Sequence, residues 1–423
     1  MIPAQVDVAV IGGGPGGSLA ATYLRQKGYR VVLLDKQTHP RHTVGENLIP
    51  DFWKYLDLAG ATAAVEAEGF VIKAGGLVDW NGKTRNVYFK DFGYQRPSLH
   101  VERDRFDYLL LENARSKGVE VYEDVAVQSV AFQGEGQSAT VNYHTLPDRK
   151  AGTIDCRYVV DASGQSALLG KQLNLREMND DFRFMSVWGY FKGSDYMGFD
   201  NRIHPIADLR ETPAVTYVTN LADLGDWGWC WHIIQREEVS VGLVMPVAAA
   251  RAARGKDTSW EDFFHDQLSR LPRVAKMLEN ACFVPDSIRV IRNYSSSSHS
   301  IAGPGYFMVG DAAGFVDPIF SVGVVLAMHS AYLAAWAIDR SIQEPHRAAD
   351  FRAIYERQVQ SRLELAKSMA LPGYDRNNLD ERKVSEVMHM SSGDALELMQ
   401  QASAMTARAH NFDAMVSAAL GDS

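Results

Sequence analysis

Residues 6–11 form an almost unbroken apolar run that passes into Gly12-Gly13-Gly14-Pro15-Gly16-Gly17 and then into 18–24, which is rich in Ala and Leu. A short apolar run ended by glycines predicts a buried strand, and the residues beyond it predict a helix. Residues 30–34 repeat the strand pattern and end at Asp35. A polar loop over 36–50 leads into a helix at 51–56. A third helix opens around 101–107 with Asp104 as its N-cap and stops at Lys117-Gly118, before a strand over 119–122. Apolar and polar residues then alternate over 125–143, and Leu146-Pro147-Asp148 supplies a turn, which predicts an antiparallel hairpin or meander. Residues 158–161 read as another parallel-type strand and 182 to about 245 as an inserted antiparallel sheet dense in aromatic rings. Residues 259–281 read as one helix. A buried strand over 306–309 runs into Gly310-Asp311-Ala312-Ala313-Gly314, and a long apolar helix starts near Ser321 or Gly323. From 344 to 423 the pattern is helical and amphipathic, with breaks at Leu371-Pro372-Gly373 and Asn377-Asn378.

The chain has 423 residues, enough for two or three structural units, and its 46% hydrophobic and 22% charged composition is that of a globular protein. The expected division is 1–180 and 291–345 for one interrupted domain, 181–290 for a sheet domain inserted in it, and 346–423 for a helical C-terminal region. A net charge of −9 with no basic run argues against nucleic acid as a partner. Cys156, Cys230 and Cys282 are not spaced as metal ligands and read as reduced thiols, so no metal is expected and the location expected is cytoplasmic. The first residues lack the basic-then-apolar layout of a signal peptide. The most apolar stretch, 322–338, carries His329 and Ser330 and is short for a bilayer, so it reads as a buried helix and no membrane partner is expected.

Gly12, Gly14 and Gly17 fill a G-x-G-x-x-G frame between a strand and a helix. The first glycine permits the tight turn, the second lets a pyrophosphate approach the backbone, and the third lets helix and strand pack closely. The unpaired N–H groups of the helix start, around Pro15 and Gly16, then face the phosphates. Asp35 ends the second strand where a ribose hydroxyl needs an acceptor, which favours FAD or NAD over NADP. Lys36, Arg41 and Glu46 on the following loop, Arg103 before a helix, and Val125 are expected beside the same cofactor. So are Asp161 at the end of its strand, Gly310 and Asp311, and Gly323 and Val324 at the start of the apolar helix. Lys73 stands alone in an apolar, glycine-bearing stretch. It either snorkels to solvent from a strand end or is a desolvated amine with a lowered pKa. Residues 227–234 are dense in indoles, which serve a core or stack on a planar ring, and Trp229 and Trp231 are the candidate walls of a substrate pocket.

These ordered motifs resemble the FAD-dependent monooxygenase superfamily with the p-hydroxybenzoate hydroxylase fold. The resemblance runs from Val6 to about Arg340 and rests on the glycine turn, Asp161-Ala162-Ser163-Gly164 and Gly310-Asp311-Ala312-Ala313-Gly314. Three further segments are similar to the flavin-dependent halogenases of phenolic or pyrrolic substrates, often tethered to a carrier protein. They are Val44-Gly45-Glu46-Asn47-Leu48-Ile49-Pro50, Lys73-Ala74-Gly75 with Trp80 beyond, and Asp317-Pro318-Ile319-Phe320-Ser321-Val322-Gly323-Val324. The resemblance implies an α/β (α+β) fold. A Rossmann-like three-layer FAD-binding domain carries an inserted antiparallel-sheet substrate domain and a helical C-terminal region. It makes Lys73 catalytic, places a chloride or bromide at the backbone of Val322 and Gly323, and lays the family's W-x-W-x-I-P signature on Trp229, Trp231 and Ile233. Two positions depart from the pattern: Ile234 replaces the final Pro, and Val322 replaces a usual Ser or Thr.

What the resemblance implies about activity follows. A separate flavin reductase delivers FADH2, since the chain shows no second dinucleotide fingerprint. Oxygen adds at flavin C4a, the halide becomes hypohalous acid, and Lys73 directs it to an activated carbon of a small aromatic, free or carried on an acyl or peptidyl carrier protein. A monooxygenase or oxidase on the same scaffold, with Lys73 structural, is the first alternative. A non-catalytic flavoprotein is the second.

Overall fold

The computed structural model describes residues 1–374 apart from 81, 135–137, 147 and 222–227. Its first layer is a six-stranded sheet in the order Ala302–Gly303, Tyr306–Met308, Tyr158–Asp161, Val8–Ile11, Val31–Leu34, Glu120–Tyr122. All pairings are parallel except the first, which is an antiparallel edge. The central strands read as continuous apolar runs because both their faces are covered, and Val8, Val10, Val32 and Leu33 are fully buried. The helix Pro15–Gln26 packs between Arg103–Ser116 and Gly323–Gln343 over this sheet, and the meander Val125–Gln133, Ser138–Thr145, Ala151–Cys156 joins the same core.

The second layer system is a nine-stranded sheet. It runs Cys282–Phe283, Phe184–Lys192, Val239–Pro246, Trp229–Ile234, Ala214–Asn220, Val71–Trp80, Lys83–Tyr88, with Arg289–Arg292 and Ser98–His100 added at its edges. It therefore recruits 71–100 from the first part of the chain. One of its pairings, Ala214–Asn220 with Val71–Trp80, is parallel, because the two strands come from distant segments rather than from a hairpin. The helices Trp260–Ser269 and Pro272–Met277 cover its core.

Several expectations change. Residues 259–281 form two helices, because Pro272 lacks an N–H and starts a new first turn. Arg103–Ser116 begins one residue before Asp104, with Glu102 as N-cap and no capping side chain. The last helix, Ala348–Tyr374, holds Leu371-Pro372-Gly373 in its final turn. Pro147, the Asn377-Asn378 break and the rest of 375–423 lie outside the described residues. The apolar stretch at 322–338 belongs to Gly323–Gln343, whose inner face is buried, and no described helix is long and apolar enough to cross a membrane.

Candidate active site

The glycine turn is built by close approach. Gly12 has φ +103°, and a Cβ there would stand 2.4 Å from the carbonyl oxygen of Ala162. A Cβ on Gly17 would stand 1.9 Å from the carbonyl oxygen of Gly12, so that glycine seats the helix on the turn rather than meeting a ligand. The helix Pro15–Gln26 is N-capped by Gly14, with no side chain accepting from its first N–H groups. Asp35 Oδ2 accepts from the Gly13 N–H at 2.6 Å and Oδ1 from the Gln37 N–H at 2.8 Å, which fixes the second strand end beside the turn.

This turn opens on a cavity of about 610 Å³. Gly12, Gly14, Pro15, Gly16, Asp35, Lys36, Arg41, Glu46, Arg103 and Val125 stand on its wall, with Gly310, Asp311, Gly323 and Val324 opposite in sequence. Four expected site residues do not: Gly17, Lys73, Asp161 and Val322. For Asp161 the expectation of a cofactor contact is corrected. Its buried carboxylate accepts from the backbone of Ser163 at 3.0 Å and Leu169 at 2.7 Å, so it shapes the 161–169 turn from behind. The wall itself there is Ala162, Ser163 and Gly164.

The polar wall is braced. Arg103 Nε and Nη2 donate to the two oxygens of Asp107 at 2.8 and 3.1 Å, Nη1 donates to the Val44 carbonyl at 2.8 Å, and Arg41 adds a contact to Asp107 at 3.3 Å. Glu46 accepts from the Tyr190 hydroxyl at 2.6 Å, and burial together with that carboxylate pushes the Tyr190 phenol far above its ordinary pKa. Asp311 accepts from Gln165 at 3.0 Å; burial raises its pKa against that hydrogen bond.

Lys73 inverts the strand pattern around it. On Val71–Trp80, Ile72 is 55% exposed while Lys73 is only 3% exposed. Lys73 is in phase with Gly75 and Leu77, which are buried on the same face, and the pairing with Ala214–Asn220 slips by one residue just past it, where Lys73 pairs with Ala214 and Gly75 with Val215. Ser98 pairs with Lys73 from the other side. Nζ donates to the Asn47 side-chain oxygen and, at 2.9 Å, to the Leu48 carbonyl, and it sits 4.9 Å from the centre of the Phe89 ring. Burial without a carboxylate partner lowers its pKa to about 7. Of the two expectations for Lys73, the desolvated amine is the one that forms.

Trp229 and Trp231 stand on the wall of the larger cavity, with ring centres 5.7 Å apart. Trp231 donates to Ser240 at 3.1 Å and lies over Gly242, where a Cβ would fall 2.2 Å from the ring. Val322 is the N-cap of Gly323–Gln343 and gives no side-chain bond; the preceding Ser321 has φ +58° and accepts from Asn47 Nδ2 at 2.7 Å.

An FAD-binding-domain family model matches residues 5–352. A tryptophan 2-halogenase from Chondromyces crocatus is 34% identical over 84% of this chain, and the chain spans 65% of its length. A flavin-dependent halogenase of Armillaria mellea, armH3, is 30% identical over 81% of the chain and 69% of its own length. The chain belongs to the flavin-dependent halogenase family. In the solved structure of the myxobacterial chondrochloren halogenase CndH, a variant of the FAD-dependent halogenases, 90% of that chain superposes on 92% of this one with a TM-score of 0.77 and 29% identity.

The residues present fit the family's cofactor. A cradle that admits no Cβ at Gly12, helix-start N–H groups at Gly14 and Gly16 without a side-chain cap, and the cations Lys36 and Arg41 on the cavity wall suit a pyrophosphate. Sequence reasoning missed a second cavity, about 290 Å³, lined by Ala74, Tyr88, Phe89, Pro97 and Phe199 among others. Tyr88 and Phe199 stack there at 4.1 Å. Lys73 lies between the two spaces. Its partner Asn47 is on the wall of the larger, and its neighbour Ala74 and the ring of Phe89 are on the wall of the smaller. Also missed were Tyr190, far from Glu46 in sequence, and His100, whose ring bridges the Ile234 carbonyl and the Thr216 hydroxyl at 2.9 Å each. No spacing rule points to either. Among the described residues no group of acids, histidines and cysteines could hold a metal, and the three cysteines are free.

Proposed function

We propose that the chain installs chlorine or bromine on an electron-rich aromatic of phenol, pyrrole or indole type, free or carried on an acyl or peptidyl carrier protein. The setting is natural-product biosynthesis, with a separate reductase supplying reduced FAD. The observation that carries this reading is Lys73, a nearly sealed cation whose hydrogen-bond acceptors are the neutral oxygens of Asn47 and Leu48, placed between a flavin-sized cavity and a smaller aromatic one. Such burial costs folding free energy and persists where chemistry uses it.

Bound reduced FAD, with dioxygen, would supply the two-electron oxidation that turns halide into an electrophile. Gly12, Gly14, Asp35, Lys36, Arg41 and Asp311 would hold that cofactor. The N–H groups of Val322 and Gly323 would hold the halide; Val322 needs no hydroxyl for that. Trp229 and Trp231, on the wall of the larger cavity, would help exclude water from it. With its pKa lowered to about 7, Lys73 offers Nζ in both forms near neutrality. The ammonium donates a hydrogen bond to hypohalous oxygen; the amine takes the halogen and releases water. An aromatic ring against Tyr88, Phe89 and Phe199 then attacks the halogen and loses its ring proton. Positioning and water exclusion are the protein's share.

A monooxygenase on the same scaffold is the second reading, favoured by the two departures at Val322 and Ile234. The deciding assay supplies FAD, a flavin reductase, NADH, oxygen and a panel of phenols, pyrroles and indoles, free and carrier-bound, with bromide or chloride. A halogen isotope pattern that vanishes in Lys73→Ala, with FAD still bound, is expected. A halide-independent gain of oxygen would replace this reading with the second.

A further inference from the structure

Asn47 lies between Lys73 and the flavin-side loop, and its amide can face only one way. A lysine ammonium has donors and no acceptor, so the Asn47 side-chain oxygen must face Nζ and its Nδ2 must face Ser321. The residue is held rigidly. The Leu48 N–H donates to the Leu99 carbonyl at 3.2 Å, the Val101 N–H donates to the Glu46 carbonyl at 2.8 Å, and Asn47 bridges to His100, so 46–48 lies along the edge of the strand that pairs with Lys73. At the other end Ser321 occupies the left-handed region at φ +58°, unusual for a residue with a side chain, immediately before the start of Gly323–Gln343.

We infer that Asn47 is a positioning residue that couples the Lys73 amine to the wall of the flavin cavity, one amide fixing Nζ through its oxygen and the Ser321 loop through its nitrogen. The consequence is directional. A neutral acceptor at Nζ favours the ammonium, so changing that acceptor moves the proton on Lys73 without touching the lysine. The titratable and charged groups on the elements packed around Lys73 are Asp79 on its own strand, His100 on the facing strand, Tyr217 on the parallel strand, Lys83, Arg85 and Tyr88 on the antiparallel strand, Lys90 and Asp91 on the turn after it, and Glu46 beside Asn47. Burial holds His100 well below its ordinary pKa, with Lys73 adding to the effect, and the test alters none of these groups.

The inference rests on the halogenase reading only for its rate measurement. Full-length, FAD-loaded protein with 13C-labelled lysine would be titrated by NMR, following the Lys73 Cε signal assigned by its loss in Lys73→Met. Asn47→Asp, which keeps shape and acceptor, should raise the Lys73 midpoint by about one to three pH units. Asn47→Leu should lower it, and the Lys73-dependent limb of the halogenation pH profile should move in the same direction in each variant. Unfolding temperatures confirm that both variants fold. A Lys73 midpoint unchanged in both folded variants overturns the inference. A shifted midpoint in a protein that halogenates nothing upholds the coupling and rejects the halogenase reading instead.

Discussion

Two buried cations of this molecule differ in the group that carries the charge and in the partners that meet it. Arg103 is 9% exposed and Lys73 is 3% exposed. Burial works against the charge of both. Beside Arg103 the Asp107 carboxylate overcomes it, two oxygens against two nitrogens, and holds the guanidinium above its ordinary pKa. Among the described residues Lys73 meets neutral oxygens and the Phe89 ring, and burial lowers its pKa to about 7. Burial thus leaves a permanent charge where the group is a guanidinium paired with a carboxylate, and a titratable amine where it is an ammonium facing neutral oxygens. Group and counter-ion together decide which cation braces a wall and which can exchange a proton.

The sharpest break in that contrast is Lys73→Arg. A guanidinium cannot give up its charge near neutrality and cannot form a haloamine. Halogenation should fall at least about 100-fold, the scale of a positioned acid or base, while FAD absorbance in the purified protein is retained. Activity within a few-fold of wild type would make the charge, not the amine, the working feature. Removing the other cation's partner acts on stability instead. Asp107→Ala strands Arg103 and should cost about 3–5 kcal/mol in denaturant unfolding, the usual loss when one member of a buried ion pair is deleted. A loss below 1 kcal/mol would show that the Val44 carbonyl suffices for Arg103.

The two sites were unequally legible in the sequence. The FAD side is local: a turn, its glycines and the acid at the next strand end lie within 35 residues, and their chemistry is fixed by φ angles and missing Cβ atoms. Asp161 shows the limit even there, since its motif marked the right turn but not which way the carboxylate faces. Lys73 could be singled out, yet its burial could not be decided. Period-two alternation gives no preference between the face of Ile72 and that of Lys73, because both carry apolar residues and glycines, until the pairings with Ala214 and Ser98 set which face is covered. The aromatic cavity needs Tyr88 and Phe199 to meet, and neither belongs to a motif. The parallel pairing in the large sheet was hidden for the same reason.

A smaller effect sharpens the comparison through pH. Lys73 is charged in the unfolded chain up to about 10.5 and in the folded protein up to about 7, so between those values the unfolded state binds more protons and stability rises with pH. Lys73→Met removes that cost. The variant should be more stable than wild type at acidic pH, with its advantage shrinking by about 2 kcal/mol between about pH 6.5 and 8.5. A constant difference would mean that Lys73 keeps its charge in the fold.

The smallest effect concerns Arg41, which touches Asp107 at 3.3 Å, is 16% exposed along its side chain and also stands on the cavity wall. It is the intermediate case: a cation with a carboxylate neighbour and a face left toward the ligand space. If Asp107 is already satisfied by Arg103, Arg41 contributes little to folding, and Arg41→Met should change stability by less than about 1 kcal/mol. Its charge should instead act on the cofactor. FAD should dissociate several-fold more readily from the variant at low salt, and added salt should narrow the gap, because a partly exposed charge is screened where a sealed one is not. Equal FAD retention at low salt, together with a stability loss like that of Asp107→Ala, would place Arg41 with Arg103 as a brace. The division between structural and ligand-facing cations would then run through Lys36 instead.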